Sequence, residues 1–317
     1  MEPNVNPSAP APAQAAAPTP QQPAHKAPPI GAPKAVAPPP PPIGQPSNAP
    51  RRIGDAPAGG TAAFTVTRGR TGGAQRVLIY GAAGIGKSSL AALAPDPIVL
   101  DTQDETRQLD VARVPTERLA TWDDLRAAVR SHELWRPFKT VVIDNLTRAQ
   151  QMAAQWCVRN IPDEKGRPVD TLEGYGYGKG SVIHADTFRL LLQDLDVVMR
   201  AGKHVVLVAH ETTESVPNPR GEDYLRYEPD LYKSASGKTT SNIRNAVIQW
   251  ADHVVAIYYD VAVDRGDNKA KGGGTRTIYT VELPTHVAKT RPPEGVEPRP
   301  IEYVKNDPTI WRLLGCN

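Results

Sequence analysis

Cysteine is scarce. Cys157 and Cys316 are the only two in 317 residues, and neither belongs to a CxxC pair or a Cys/His cluster. A structural zinc site and a disulfide framework are therefore not expected, and a reducing compartment suits the chain. Apolar runs are short as well, and none approaches the ~18 residues of a membrane-spanning helix. The first residues carry neither the basic nor the apolar stretch of a secretory signal, so a cytoplasmic location with no membrane partner is expected. Charge is nearly balanced, with 37 Lys and Arg against 34 Asp and Glu. Such a balance neither favours nor excludes nucleic acid, and any basic surface must be local. Large apolar side chains are almost missing from residues 1–60, which hold 18 of the 33 prolines. That segment cannot bury enough surface to offset its ordering entropy. It reads as a disordered Pro/Ala-rich tail, locally polyproline II, serving as a spacer or as a docking arm for a Pro-recognising partner. Residues 61–317 then form one domain.

What remains alternates between two periodicities. Buried-strand patterns cover Arg76–Tyr80, Pro97–Asp101, Lys139–Asp144 and His204–Ala209. Between them, helices are expected at Lys87–Ala94, from Thr121 with Asp124 placed as in a capping box, after Asp144, and over Ile183–Ala201. Ala149, Met152, Ala153, Trp156 and Cys157 fall on one helical stripe and read as core. His253–Tyr259 and Thr277–Leu283 alternate like strands, with a hydrophilic stretch between them. Two segments read as loops: 160–181, and the polar 211–245, which is long for a connector. The alternation predicts an α/β fold with a largely parallel central sheet and helices on both faces. Ligands of such sheets bind at the carboxyl ends of the strands, where Asp101, Asp144 and His210 stand.

Between the first strand and its helix lies Gly81-Ala82-Ala83-Gly84-Ile85-Gly86-Lys87-Ser88, followed by Ser89. It fits GxxxxGK[ST] in full. The glycines let backbone N–H groups curl around a β-phosphate without Cβ clashes. Lys87 neutralises β- and γ-phosphates, and the Ser88 hydroxyl ligates magnesium. ATP with magnesium is the expected cofactor pair. Asp144, ending a separate buried strand, is the expected second magnesium ligand.

The ordered series GAAGIGKS, VLDTQDET, TVVIDNLT, VVLVAH and VAKTR resembles the phage-encoded RecA-like P-loop ATPases of the single-strand annealing and recombination group, over roughly residues 62–305. The resemblance implies a RecA-like core, ATP hydrolysis, ATP-dependent single-stranded DNA binding, and self-association into a ring or filament. It places Gly81, Gly84, Gly86, Lys87 and Ser88 in the Walker A loop and Asp144 as the Walker B acid. His210 falls where a polar side chain senses the γ-phosphate and couples it to DNA. Lys289 and Arg291 match a basic pair that reaches a neighbouring subunit's nucleotide. One position departs from the pattern: Gln103 stands where the resemblance expects a catalytic glutamate. A glutamine orients water but cannot take its proton. Either Asp104 or Glu105 substitutes, or hydrolysis is slow; Glu105 is the expected substitute.

Single-strand binding needs backbone cations and flat rings for stacking. The first loop offers Tyr175, Tyr177 and Lys179; the second offers Tyr224, Arg226, Tyr227 and Lys238. The stretch Arg265–Arg276 reads as a basic, glycine-rich hairpin tip, either a plain turn or a contact for phosphates. A companion single-strand binding protein is a further candidate partner. Two other classes stay open: a nucleotide-gated DNA-binding module with little hydrolysis, and a P-loop small-molecule kinase. Against the kinase, the sequence shows no Arg-rich lid.

Overall fold

The computed structural model describes residues 73–234, 241–263 and 270–316. The chain divides into Met1–Thr67 and Arg68–Asn317. The Pro/Ala-rich segment and Lys238 lie outside the described residues, as do 264–269 of the basic turn.

In chain order the elements are β1 (Arg76–Gly81), α1 (Lys87–Ala91), β2 (Pro97–Asp101), β3 (Ala112–Val114), α2 (Trp122–Arg130), α3 (His132–Trp135), β4 (Thr140–Asp144) and α4 (Leu146–Asn160). They continue with α5 (Lys179–Arg200), β5 (His204–Ala209), β6 (Glu211–Val216), β7 (Tyr224–Pro229), α6 (Ile243–Trp250), β8 (His253–Val263), β9 (Ala270–Tyr279), β10 (Ile301–Glu302) and α7 (Thr309–Leu313). Eight strands form one sheet in the order β10-β9-β8-β1-β5-β4-β2-β3. From β8 to β3 every neighbouring pair is parallel; β9 and β10 are antiparallel additions at one edge.

Both faces of the sheet are covered, which is why its strands read as unbroken apolar runs. Along β1, Leu78 and Tyr80 enter one core with Trp122, Leu125, Phe188 and Val247 from α2, α5 and α6. Val77 and Ile79 enter the other, with Leu90 of α1 and Ile310 and Trp311 of α7. The α2 start carries the expected capping box: Thr121 Oγ1 accepts from the Asp124 N–H, and Asp124 accepts from the Thr121 N–H. Of the α4 stripe, Trp156 is only half-buried, its indole N–H donating to Asp123.

Three expectations need correction. The 211–245 segment is not a loop: β6 and β7 pair antiparallel from Glu211↔Pro229 to Val216↔Tyr224, and α6 begins at Ile243. The late strand pair is longer than its apolar alternation, because β9 starts at Ala270 inside the stretch read as a turn. The 22-residue α5 starts four residues earlier than expected, at Lys179.

Strand order sets the site. Because β5 lies between β1 and β4, Tyr80 aligns with Ala209 and Asp144 with Val208. The residue after Ala209 is His210, so it emerges between the Gly81–Ser88 loop and Asp144. Asp101 aligns with Asp144 one strand further on.

Candidate active site

The loop after β1 is held tightly from below and behind. A Cβ on Gly81 would come within 2.5 Å of the Ile257 carbonyl oxygen. Gly86 has φ 109°, in the left-handed region that glycine alone adopts without cost. Lys87 is 3% exposed, and its Nζ donates to the Ala82 carbonyl at 2.8 Å, across the loop. Burial lowers its pKa, against the opposing pull of Glu105, Asp144 and Glu211. The ammonium therefore sits in a ring of carboxylates, beside the loop whose N–H groups suit phosphate oxygens.

Asp144 is fully buried at the end of β4, and neither carboxyl oxygen has a well-formed hydrogen bond. Burial lifts its pKa to about 7, although the nearby Ser88 hydroxyl and Lys87 favour the charged form. An orphaned carboxylate beside a serine hydroxyl is the donor set a hard cation takes. The residues thus fit magnesium, which Ser88 and Asp144 would hold. Among the described residues no cluster of three or more His, Cys, Asp or Glu forms a separate metal site.

Beside Asp144 stands a hydrogen-bonded group that the sequence signalled only in part. Thr102 Oγ1 accepts from the Asn145 N–H and donates to the Asn145 carbonyl, tying β2 to the end of β4. Asn145 Oδ1 caps α4 by accepting from the Arg148 N–H. Its Nδ2 donates to Gln103 Oε1 at 3.0 Å and to Glu105 Oε1 at 2.7 Å. His210 Nε2 lies 3.2 Å from Asn145 Nδ2 and 3.3 Å from Glu105 Oε1; with both amide hydrogens spent on Gln103 and Glu105, the tautomer that donates to the carboxylate fits this arrangement. The bond to His210, then Asn145 and Lys87, hold the Glu105 pKa below the ordinary carboxylate range. Asp101 shapes the turn by accepting from the N–H groups of Gln103, Glu105 and Thr106. Asp104 turns away and pairs with Arg107, while Gln103 is exposed. Of the two residues weighed as base, Asp104 and Glu105, it is Glu105 whose charge acts on Lys87.

His210 is also bonded through its backbone. Its N–H donates to Thr147 Oγ1, and its carbonyl accepts from the Asp230 N–H. Thr147 Oγ1 in turn donates to the Asp230 carbonyl. Asp230 and Leu231 form one wall of a cleft of about 630 Å³, whose other walls include Leu172, His184, Tyr232 and Lys233.

The residues expected to bind DNA fare unequally. Tyr175 is buried, with its hydroxyl shared between the Cys157 and Ile161 carbonyls, so it is no stacking platform. Tyr177 is fully exposed. Lys179 pairs with Glu164, and Arg226 is held by Glu228 and Glu282. Tyr227 is partly exposed and packs on Tyr258, while Tyr224 is half-buried at the head of β7. Lys289 and Arg291 do not approach the chain's own phosphate loop. Lys289 bridges to Val254 near the start of β8, and Arg291 pairs with Asp252. That end of the sheet lies about 13 Å of strand from Gly81.

Three residues near the loop escaped the sequence reading, and a fourth, Arg276, was visible only as the end of a basic stretch. Asn145 and Glu211 flank candidates already named, and nothing in their spacing marks them. Arg276 and Tyr303 lie far along the chain and reach the loop only through the fold: Arg276 Nη1 donates to the Ile85 carbonyl at 2.7 Å, and the Tyr303 hydroxyl to the Gly86 carbonyl at 3.2 Å.

No curated protein matches the chain in sequence. Among solved structures, a KaiC-like protein from the hyperthermophilic archaeon Pyrococcus horikoshii OT3 is similar at 11% identity, over 73% of this chain and 85% of that one, with a TM-score of 0.39. Residues 74–292 match the AAA domain family, a span that holds β1, the phosphate loop, Asp144, His210 and the strands between them. The chain belongs to the AAA domain family of P-loop ATPases.

Proposed function

We propose that this chain is a magnesium-dependent ATPase in which the state of the γ-phosphate controls a single-stranded DNA surface. One observation carries the reading: Glu105, Asn145 and His210 form a bonded group at the sheet edge that also holds Lys87 and Asp144. Lys87 would neutralise the β- and γ-phosphates, and bound magnesium would supply charge to the same oxygens. Glu105 would orient the attacking water and accept its proton. At rest its basicity is held down by the His210 bond. If His210 Nε2–H turns to the γ-phosphate, Glu105 loses that donor and becomes a stronger base. Sensing and activation are then one movement.

The DNA half of the reading rests on connection. His210 is bonded through Thr147 and Asp230 to the cleft wall, where the 160–181 segment and the β6–β7 hairpin meet. Exposed Tyr177 and Tyr227 supply flat rings on the segments that flank it. Assembly into a ring or filament would let Lys289 and Arg291 serve a neighbouring copy's nucleotide, since their own is out of reach.

A second reading keeps the gate and drops the turnover. The depressed Glu105 pKa favours it, because a weak base gives slow hydrolysis. ATP turnover with no DNA, single-stranded DNA and duplex DNA separates the two, with Lys87→Ala as the variant that binds no nucleotide. Stimulation by single strands supports the driven ATPase. Nucleotide-dependent DNA binding with negligible turnover supports the gate. Full turnover in Lys87→Ala removes the site assignment altogether.

A further inference from the structure

The phosphate loop has a back as well as a front. Its front is the row of N–H groups; its back is the row of carbonyls on the same peptides. Two of those carbonyls receive side-chain donors from the far end of the chain. Arg276, on β9, reaches the Ile85 carbonyl through Nη1 at 2.7 Å. Tyr303, just past β10, reaches the Gly86 carbonyl at 3.2 Å. The two donors support each other. The guanidinium lies 4.1 Å from the Tyr303 ring centroid, and the Tyr303 N–H donates to the Arg276 carbonyl at 2.7 Å. Tyr303 is 7% exposed. The approach is so close that a Cβ on Gly86 would meet Tyr303 Oη at 2.5 Å and Arg276 Nη1 at 3.0 Å. Gly86 is thus required twice over, for its backbone angle and for this contact.

Each contacted carbonyl belongs to a peptide with a particular N–H. The Ile85 carbonyl shares its peptide with the Gly86 N–H, and the Gly86 carbonyl shares its peptide with the Lys87 N–H. Peptide resonance links the two ends of each unit. A donor on the oxygen makes the N–H at the other end a stronger donor, and hydrogen-bond chains polarise in this way more strongly in a low-dielectric site. A full positive charge on one carbonyl strengthens the effect. The Gly86 carbonyl also accepts the first bond of α1, from the Leu90 N–H, so the Tyr303 bond is not needed to satisfy it. Tyr303 lies beyond the residues that match the family, which end at 292.

We propose that Arg276 and Tyr303 are positioning residues that tune the phosphate loop from behind, raising its affinity for polyphosphate by polarising the Ile85–Gly86 and Gly86–Lys87 peptides. The proposal rests on the nucleotide reading above and deepens it. Polarised N–H groups hold the phosphates alike before and during hydrolysis, so the effect falls on affinity and KM and leaves kcat alone.

The experiment measures ATP and ADP affinity by calorimetry, steady-state kinetics, and the melting temperature of nucleotide-free protein, for wild type and three variants of the full chain. Tyr303→Phe keeps the ring and removes only the hydroxyl; because that bond is present with and without nucleotide, only its polarising share is lost, and ATP and ADP should each bind about 1.5- to fivefold more weakly. Arg276→Met should cost about ten- to a hundredfold, because the bound polyphosphate loses a full positive charge behind the loop. Arg276→Lys, which keeps the charge, should recover part of that loss. In all three, kcat at saturating ATP should stay within about twofold of wild type. Unchanged affinity in both Tyr303→Phe and Arg276→Met overturns the proposal. So does a loss of affinity that follows a fall in melting temperature and is equal in the Met and Lys variants, which marks a merely structural clasp. A fall in kcat with affinity intact overturns it as well. If wild type itself binds no ATP, the nucleotide reading falls first and takes this proposal with it.

Discussion

Glu211 opens the β6–β7 hairpin one residue after His210, yet the hairpin and the phosphate-facing sheet edge differ in almost every physical respect. The edge is built from buried strands whose ends carry fixed chemistry. Its loop needs glycine at set positions, a lysine, a hydroxyl, and an acid on another strand, and each of these is visible as a residue type at a spacing. The hairpin is a two-stranded ribbon paired with itself. Most of its residues are exposed or half-buried. Its charges are spent on structural pairs: Arg244, buried on α6, bridges Glu214 and Glu228, and Arg226 is bound to Glu228. The first region is specified by what it must touch, the second by strand pairing and by ion pairs that tie it to α6. Variants at each should fail in different ways.

The largest difference should come from Glu105. Glu105→Gln keeps the Asn145 and His210 bonds but cannot accept a proton. Turnover should fall by about 10²- to 10⁴-fold while ATP affinity changes little. Gln103→Glu, added to Glu105→Gln, should restore little of it, because residue 103 is exposed. Recovery to wild-type rates in the double variant would move the base to position 103.

The sheet and its loop were legible because both faces are buried, which turns strands such as Val141–Ile143 into unbroken apolar runs. The hairpin was not. Without a buried face, Glu211–Val216 shows no apolar alternation. Its threonines and the tyrosines of Tyr224–Pro229 were the remaining signal, in β-propensity alone. β3 was missed for the same reason, being short and largely exposed at the sheet edge. Of the site, Lys87, Ser88 and Asp144 follow from spacing. Asn145, Arg276 and Tyr303 do not, since strand order and the C-terminal segment bring them in. Tyr175 and Tyr177, two residues apart, looked equivalent in sequence, and only packing separates them.

A second test uses pH. Burial raises Asp144 from 3.8 to about 7. Between those values the folded protein binds a proton that the unfolded chain has released. The group's stabilising contribution is therefore present below pH ~4 and is lost as pH rises through about 7. Asp144→Asn never acquires the buried charge. Without nucleotide it should be more stable than wild type at pH 8, by on the order of 1–3 kcal/mol, with the gap closing towards pH 4. Magnesium-dependent turnover should be lost. Parallel melting curves across this range would mean that Asp144 is better solvated than its packing implies.

His210 joins the two regions, so its loss should uncouple them rather than destroy either. His210→Ala should retain ATP binding. The affinity difference for single-stranded DNA between the ATP-analogue and ADP states, about 1–3 kcal/mol in wild type for a typical coupling, should vanish. Binding in either state should still weaken steeply with salt, as phosphate contacts release counterions. A wild type whose DNA affinity ignores the nucleotide ends the switch hypothesis.

The smallest effect should come from Tyr177, and it bears most directly on whether the 160–181 segment serves DNA. Tyr177 is fully exposed and adopts φ 49°, a left-handed angle that costs a non-glycine residue about 1 kcal/mol. A large ring in a strained, solvated position contributes nothing to the core. Tyr177→Gly should therefore hold or raise the melting temperature, since glycine takes this angle freely. If the ring stacks on a base, the same change should weaken single-strand binding by about 1–3 kcal/mol without altering the salt slope. Tyr175→Phe should do the reverse. It removes the hydroxyl shared by Cys157 and Ile161, costing about 1 kcal/mol of stability, and leaves DNA binding alone. If Tyr177→Gly gains stability and binds DNA as wild type does, the exposed ring is not a stacking platform, and DNA contacts of that segment would rest on its cations.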